Sequence, residues 1–161
     1  MGARRGSGAP LVLAAVLLAS GCSSDGGTAG APGPDAPAVD FPVFAPVLDG
    51  ATAGSSTVAP ERVTSDYGDG LTLVQLAEPG ADLCAALVDV RLADDTCRVD
   101  GDSVVTSMEE MGGVGVVRDG TLLYWSGLVT EADPGLVDRA ARALRDAPAA
   151  SGDDLGRVTT G

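Results

Sequence analysis

Four residue types are missing from the 161 residues of this chain: Ile, Asn, Lys and His. Without His, the Ser-His-Asp and Cys-His catalytic arrangements are excluded, and so is every His-ligated zinc or iron site. Without Lys there is no Ser-Lys dyad, no Schiff base and no phosphate-cradling P-loop. Three of the four missing types use AT-rich codons, which points to a GC-rich bacterial genome. Every cation is an Arg, and ten of them against 23 acidic residues leave a formal charge of −13. Phosphate backbones require clustered Lys or Arg, so a nucleic-acid partner is not expected. The charge balance fits a solvated acidic surface, or else a basic partner.

No apolar run is long enough to span about 30 Å of hydrocarbon as a permanent helix. The longest, Leu11 to Ala19, instead follows Arg4 and Arg5 and precedes small residues, the three-part form of an export signal. It leads into Leu18-Ala19-Ser20-Gly21-Cys22, which resembles the bacterial lipobox. The resemblance implies diacylglycerol transfer to the Cys22 thiol, cleavage after Gly21, and acylation of the freed amine, typically as palmitate. A thiolate is the nucleophile such a transfer needs, and two or more acyl chains give a stable anchor where one does not. The expected location is the extracytoplasmic face of the cell membrane, with the membrane as partner through lipid on Cys22. The alternative is an ordinary secretory signal that ends near a Cys.

An exported chain meets an oxidising compartment, where three Cys leave one over. Lipid on Cys22 removes the odd one, and Cys84 and Cys97 are then expected to pair as a disulfide, the alternative being two buried thiols.

The expected organisation is a signal peptide over 1–21, a Gly/Pro/Ala-rich tether over 22–57, a small domain over 58–147 and a disordered tail over 148–161. The tether composition has little apolar mass to offset ordering entropy. Within it, Val39 to Leu48 contains both Phe residues and several prolines, which forbid a helix and suit an extended segment. That segment either packs on its own domain, docks to a partner as a strand, or stays a loose apolar patch.

Within the domain, Arg62 to Asp66 and Leu71 to Leu76 read as strands around Tyr67-Gly68-Asp69-Gly70. Ala81 to Leu92 reads as a helix with Leu83, Cys84, Leu87, Val88 and Arg91 on one stripe. Cys97 to Val99, Ser103 to Met108, Gly113 to Arg118 and Thr121 to Leu128 read as further strands. Asp119-Gly120 is a type I′ hairpin signal. It sets Val114 opposite Trp125 and Gly115 opposite Tyr124, so that Val114, Val116, Leu123 and Trp125 share one face, and Tyr124 can lie over Gly115. A last helix starts at Asp133-Pro134, buries Leu136, Val137, Ala140, Ala141 and Leu144, and places Asp138, Arg142 and Asp146 at i, i+4 spacing on its exposed side. The fold class expected is α+β: a small antiparallel sheet of about five to six strands with two helices packed on one face, preceded by a disordered tether.

The only candidates for chemistry are carboxylates: Asp94-Asp95, Asp100 with Asp102, and Glu109-Glu110. Asp100-Gly101-Asp102 is similar to part of a calcium loop, but the closing Glu is absent, and turn residues on a solvated edge explain these groups as well. No catalytic, cofactor or metal site is therefore assigned. The stretch Val114 to Ala147, a hairpin running into Pro134 and Ala140-Ala141-Arg142-Ala143-Leu144, is similar to the close of sensor-like lipoprotein domains of high-GC Gram-positive bacteria. That similarity implies an α+β fold with disulfides and non-catalytic binding of an envelope protein or small ligand. The alternatives are a carboxylate- or metal-dependent envelope hydrolase and an acyl-chain carrier. Replacing the lipidated thiol, Cys22→Ala, is expected to move the expressed protein from the detergent phase to the aqueous phase on partitioning. Unchanged membrane retention would refute lipidation there.

Overall fold

The computed structural model describes residues 39–91, 95–131 and 133–161. The expected signal peptide, Cys22 and the first part of the expected tether, residues 22–38, lie outside them. The described residues form eight strands: β1 (Ser55–Ala59), β2 (Arg62–Asp66), β3 (Thr72–Ala77), β4 (Thr96–Asp100), β5 (Ser103–Met108), β6 (Met111–Arg118), β7 (Thr121–Val129) and β8 (Arg157–Thr160). A short helix α1 (Leu83–Ala86) separates β3 from β4, and a longer one, α2 (Leu136–Arg145), follows β7. All strands join one sheet in the order β4-β5-β6-β7-β3-β2-β1-β8. Every pairing is antiparallel except that of β1 with β8. Among the described residues no helix is long and apolar enough to cross a membrane.

The β6–β7 hairpin has the register its turn dictates, with Val117 opposite Leu122, Val116 opposite Leu123, Gly115 opposite Tyr124 and Val114 opposite Trp125. Asp119 and Gly120 both take positive φ, 49° and 79°, as a type I′ turn demands. Tyr124 and Trp125 are both fully buried, on opposite faces. Gly113, rather than the expected Gly115, makes room for the Tyr124 ring: a Cβ there would stand 2.5 Å from the ring carbon Cζ. Gly115 instead admits Val104 and Leu122. Gly127 at φ +85° is the extra residue of a bulge in β7, since Gly112 pairs with Leu128 and Gly113 with Ser126.

The two-helices-on-one-face expectation is overturned, and the sheet is larger than expected. α1 places Leu83 and Leu87 with Val104, Leu122 and Tyr124 on one face. α2 places Ala140, Ala141 and Leu144 with Leu73, Val114, Val116, Leu123 and Trp125 on the other. Alternation of side chains along β6 and β7 makes both faces apolar, so both need cover. α1 is also far shorter than the expected Ala81–Leu92 helix. The β-branched Val88 and Val90 follow it, Val88 is 62% exposed rather than in the stripe, and the chain tightens into Val88 N–H to Ala85 and Val90 N–H to Leu87 carbonyl bonds. A disulfide joins Cys84 of α1 to Cys97 of β4, with Cα atoms 5.9 Å apart.

Two further corrections concern the ends of the domain. The expected tail 148–161 contains a 3₁₀ turn at Gly152–Leu155 and then β8, and the expected tether 22–57 includes the start of β1 and a buried strap. β1 and β8 each bury only a thin inward set, Ser56 and Val58 in one, part of Val158 in the other, so their composition reads as loop. Their stabilisation comes from pairing across the chain, which no local pattern carries. Ser56 Oγ donates to Leu155 O at 2.7 Å and meets Ser65 Oγ at 2.7 Å, so its buried hydroxyl is satisfied.

The strap, residues 39–48, packs on its own domain, with Phe44 and Leu48 in the core beneath α2. Its prolines keep it out of the main sheet; its backbone bridges Phe44 to Ala149, and side chains of the sheet bond it from the other side. Gln75 of β3, fully buried, accepts from Phe44 N–H at 2.8 Å and donates through Nε2 to Phe44 O at 3.0 Å. Thr121 Oγ1 donates to Pro42 O and Tyr67 Oη to Pro46 O, each at 3.0 Å. Tyr67 also meets Trp125 edge-on, ring centres 4.5 Å apart. Gln75→Leu keeps the volume but leaves both polar groups of Phe44 unpaired, at about 1–3 kcal/mol for each buried orphan. Urea unfolding is expected to show a loss of at least 2 kcal/mol, and an unchanged midpoint would mean the strap is held by other contacts.

Candidate functional site

Strand parity decides which side chains of β4 and β5 reach the α2 face. Cys97 turns to the opposite face to meet Cys84, so Arg98 and Asp100 turn toward α2. In the ladder, Arg98 pairs with Val105 and Val105 with Val114, and Asp100 pairs with Ser103. This gives a row Arg98–Val105–Val114 across the sheet. α2 seats on β6 and β7, and on its flank toward β5 it carries Val137, Asp138, Ala141, Arg142 and Arg145, an i, i+1, i+4, i+5, i+8 stripe.

Between row and stripe lies an open cleft of ≈ 470 Å³, within the range of small-molecule sites. Its floor is apolar, with Val114 and Ala141 buried and Val105 and Val137 half-buried; its rim is charged, with Arg98, Arg142, Arg145, Asp100, Asp102 and Asp138 all exposed. One end is closed by a relay in which Arg145 Nη2 donates to Ser103 Oγ at 2.9 Å and Ser103 Oγ donates to Asp102 Oδ1 at 3.1 Å. A larger groove of ≈ 640 Å³ runs along the β1–β2 turn and the end of β3, lined by Pro60, Glu61, Arg62, Glu78 and Pro79. We favour the smaller cleft as the site because helix and sheet wall it and several cations converge there.

Several other charged groups are engaged within the fold. Asp95 takes Arg91 Nη1 at 2.7 Å, with its side chain 3% exposed. Arg139 bridges Asp49 at 3.1 Å and Asp133 at 2.6 Å, tying the strap's end to the start of α2. That hydrogen bond holds the Asp133 carboxyl below its ordinary range and the guanidinium above its own. Asp133 also accepts from Gly135 N–H at 3.0 Å, so it caps the turn ahead of α2, whose regular bonding begins later than expected. Arg118 donates to the carbonyls of Arg145 and Ala147 at the end of α2, where a cation suits the helix dipole, and lies 4.5 Å over the Phe44 ring. Burial foremost, with the charge of Asp154, pushes the Tyr67 hydroxyl up to about 12. It therefore carries its proton at neutral pH.

Of the expected site residues, Cys84 and Cys97 are brought together, while Cys22 and Asp94 lie outside the described residues. Asp100 and Asp102 stand on the cleft rim, and Glu109 and Glu110 on an exposed turn away from it. Among the described residues no three His, Cys, Asp or Glu side chains are placed to hold a metal ion. The sequence reading missed Arg98, Arg142 and Arg145. Arg142 was expected to bond Asp138 and Asp146, yet neither pair is among the salt bridges of the described residues. The signal for Arg98 was the parity set by Cys97. No protein-family model matches the chain, and no curated protein or solved structure is significantly similar to it.

Arg142 has no salt bridge to lose, so Arg142→Ala is expected to change stability by no more than about 0.5 kcal/mol. Arg118→Ala removes a bond to two carbonyls and is expected to cost about 1–3 kcal/mol. Thermal melts of the two variants check the contrast, and equal effects would contradict the assignment of free and engaged arginines.

Proposed function

We propose that this chain is an extracytoplasmic lipoprotein, anchored by lipid on Cys22, whose domain is a non-enzymatic binding or sensing module of the cell envelope. The observation that carries the binding part is the cleft between α2 and the Arg98–Val105–Val114 row. There an apolar floor and a charged rim meet on rigid elements, the usual make-up of a ligand site. The disulfide across α1 and β4 suits an oxidising compartment, and the lipobox-like Leu18 to Cys22 supports the address. The similarity of Val114 to Ala147 to sensor-like lipoprotein domains supports the same reading, and that stretch forms β6, β7 and α2, one side of the cleft.

The metal-dependent hydrolase reading finds less support, since Asp95 is held by Arg91 and Asp100 and Asp102 share their rim with arginines. The test is a titration of the full chain, carrying Cys22→Ala and ¹³C-methyl valine, with a small-molecule extract of the cell envelope. Saturable shifts of the Val105, Val114 and Val137 methyl signals are expected. An extract that moves none of them, at concentrations that saturate other envelope binders, would sink the proposal.

A further inference from the structure

We propose that the cleft takes an amphiphilic anion: a small molecule with a carboxylate or phosphate head, held between Arg98 and Arg142, and an apolar body laid on Val105, Val114, Val137 and Ala141. This rests on the binding-module reading above and names the class of ligand for it.

The argument starts from the distribution of cations. The described residues contain Arg62, Arg91, Arg98, Arg118, Arg139, Arg142, Arg145 and Arg157. Arg91, Arg118 and Arg139 hold carboxylates in salt bridges. Of the remaining five, Arg98, Arg142 and Arg145 all border this one cleft. In a chain of 23 acidic residues a free guanidinium has carboxylates in plenty to pair with. Asp100, Asp102 and Asp138 even share the same rim. None of them forms a salt bridge with the three arginines, and the Asp102 carboxylate accepts from Ser103 instead.

Arg98 comes from the strand side and Arg142 from the helix side, with the apolar floor between them. A guanidinium offers a planar fork that matches a carboxylate or phosphate in two parallel bonds. Exposed ion pairs alone are weak, so the head group supplies orientation and the apolar body supplies the area removed from water. Arg145, already turned to Ser103, closes the end of the cleft. Between Arg98 and Arg142 a cationic head would meet two guanidiniums, although Asp100, Asp102 and Asp138 stand on the same rim, so the comparison of anionic with cationic probes is the deciding readout.

The test uses the full chain with Cys22→Ala, labelled as above, and four probes: octanoate, octyl phosphate, octyltrimethylammonium and phosphatidylglycerol vesicles. Octanoate or octyl phosphate is expected to shift the Val105, Val114 and Val137 methyls saturably. Octyltrimethylammonium is expected to leave them in place. The double variant Arg98→Ala/Arg142→Ala is expected to weaken anion binding at least tenfold at an unchanged melting temperature. An equal response to the cationic probe, an unchanged affinity in the double variant, or silence toward both anions overturns the proposal. Binding to vesicles without any response to free octyl phosphate overturns it as well, in favour of a membrane-facing surface. Should the anions fail while envelope extract still moves the same methyls, the binding module stands and only its ligand class falls. Silence toward both removes the two together.

Discussion

Gln75 sits at the middle of the sheet with its side-chain amide buried, and both of its polar atoms are taken by the backbone of Phe44. A buried amide without partners would be costly, and so would a buried peptide unit; here each satisfies the other. The strap that results covers the sheet from β3 toward β1, and it supplies Phe44 and Leu48 to one cluster and half-buried Phe41 and Val43 to another. The chain after α2 then docks on the strap as well as on the sheet: Ala45 N–H donates to Pro148 O at 2.9 Å and Ala150 N–H to Val43 O at 2.8 Å. From there the 3₁₀ turn leads to β8 at the edge of β1. The first and last parts of the domain thus meet over one polar side chain in an apolar setting.

What was legible in the sequence had local causes. Asp119-Gly120 specifies a hairpin and hence a register, and that register placed Val114, Val116, Leu123 and Trp125 on one face correctly. Ala140, Ala141 and Leu144 of the buried stripe of α2 followed from helical spacing, while Leu136 and Val137 are only half-buried, and the first hydrogen-bonded turn came later because Asp133 and Gly135 form a turn of their own. What was not legible depended on distant partners. Nothing near Gln75 in the sequence points to Phe44 as its partner, and Ser56 reads as tether although β8 and β2 flank it in the fold. The cleft was hidden for a related reason. Arg142 has carboxylates at the right spacing on its own helix, and only the fold shows that it stands across from Arg98.

Charge in this protein is arranged by what each guanidinium can reach. Arg118 ends a helix and lies over a ring, Arg139 links two loops, and Arg91 buries a carboxylate. Each fills a structural need that Lys, with its point charge and no planar fork, would meet less well. At the cleft, among the described residues, Arg145 holds only Ser103, and Arg98 and Arg142 hold no carboxylate at all.

The parallel pairing of β1 with β8 also has a consequence in time. Thr57 and Thr159, which meet side by side there, are 102 residues apart along the chain, while β4 to β7 form a meander of neighbouring hairpins. Closing a loop of that length is slow compared with closing a hairpin. A chain that emerges amino-terminus first therefore presents β1 and β2 long before β8 exists to cover their edge. During that interval the short, Ser/Thr-rich composition of β1 is itself a protection, since a polar edge strand is a poor template for pairing with another molecule. The composition that disguises β1 as a tether is the one that lets it wait.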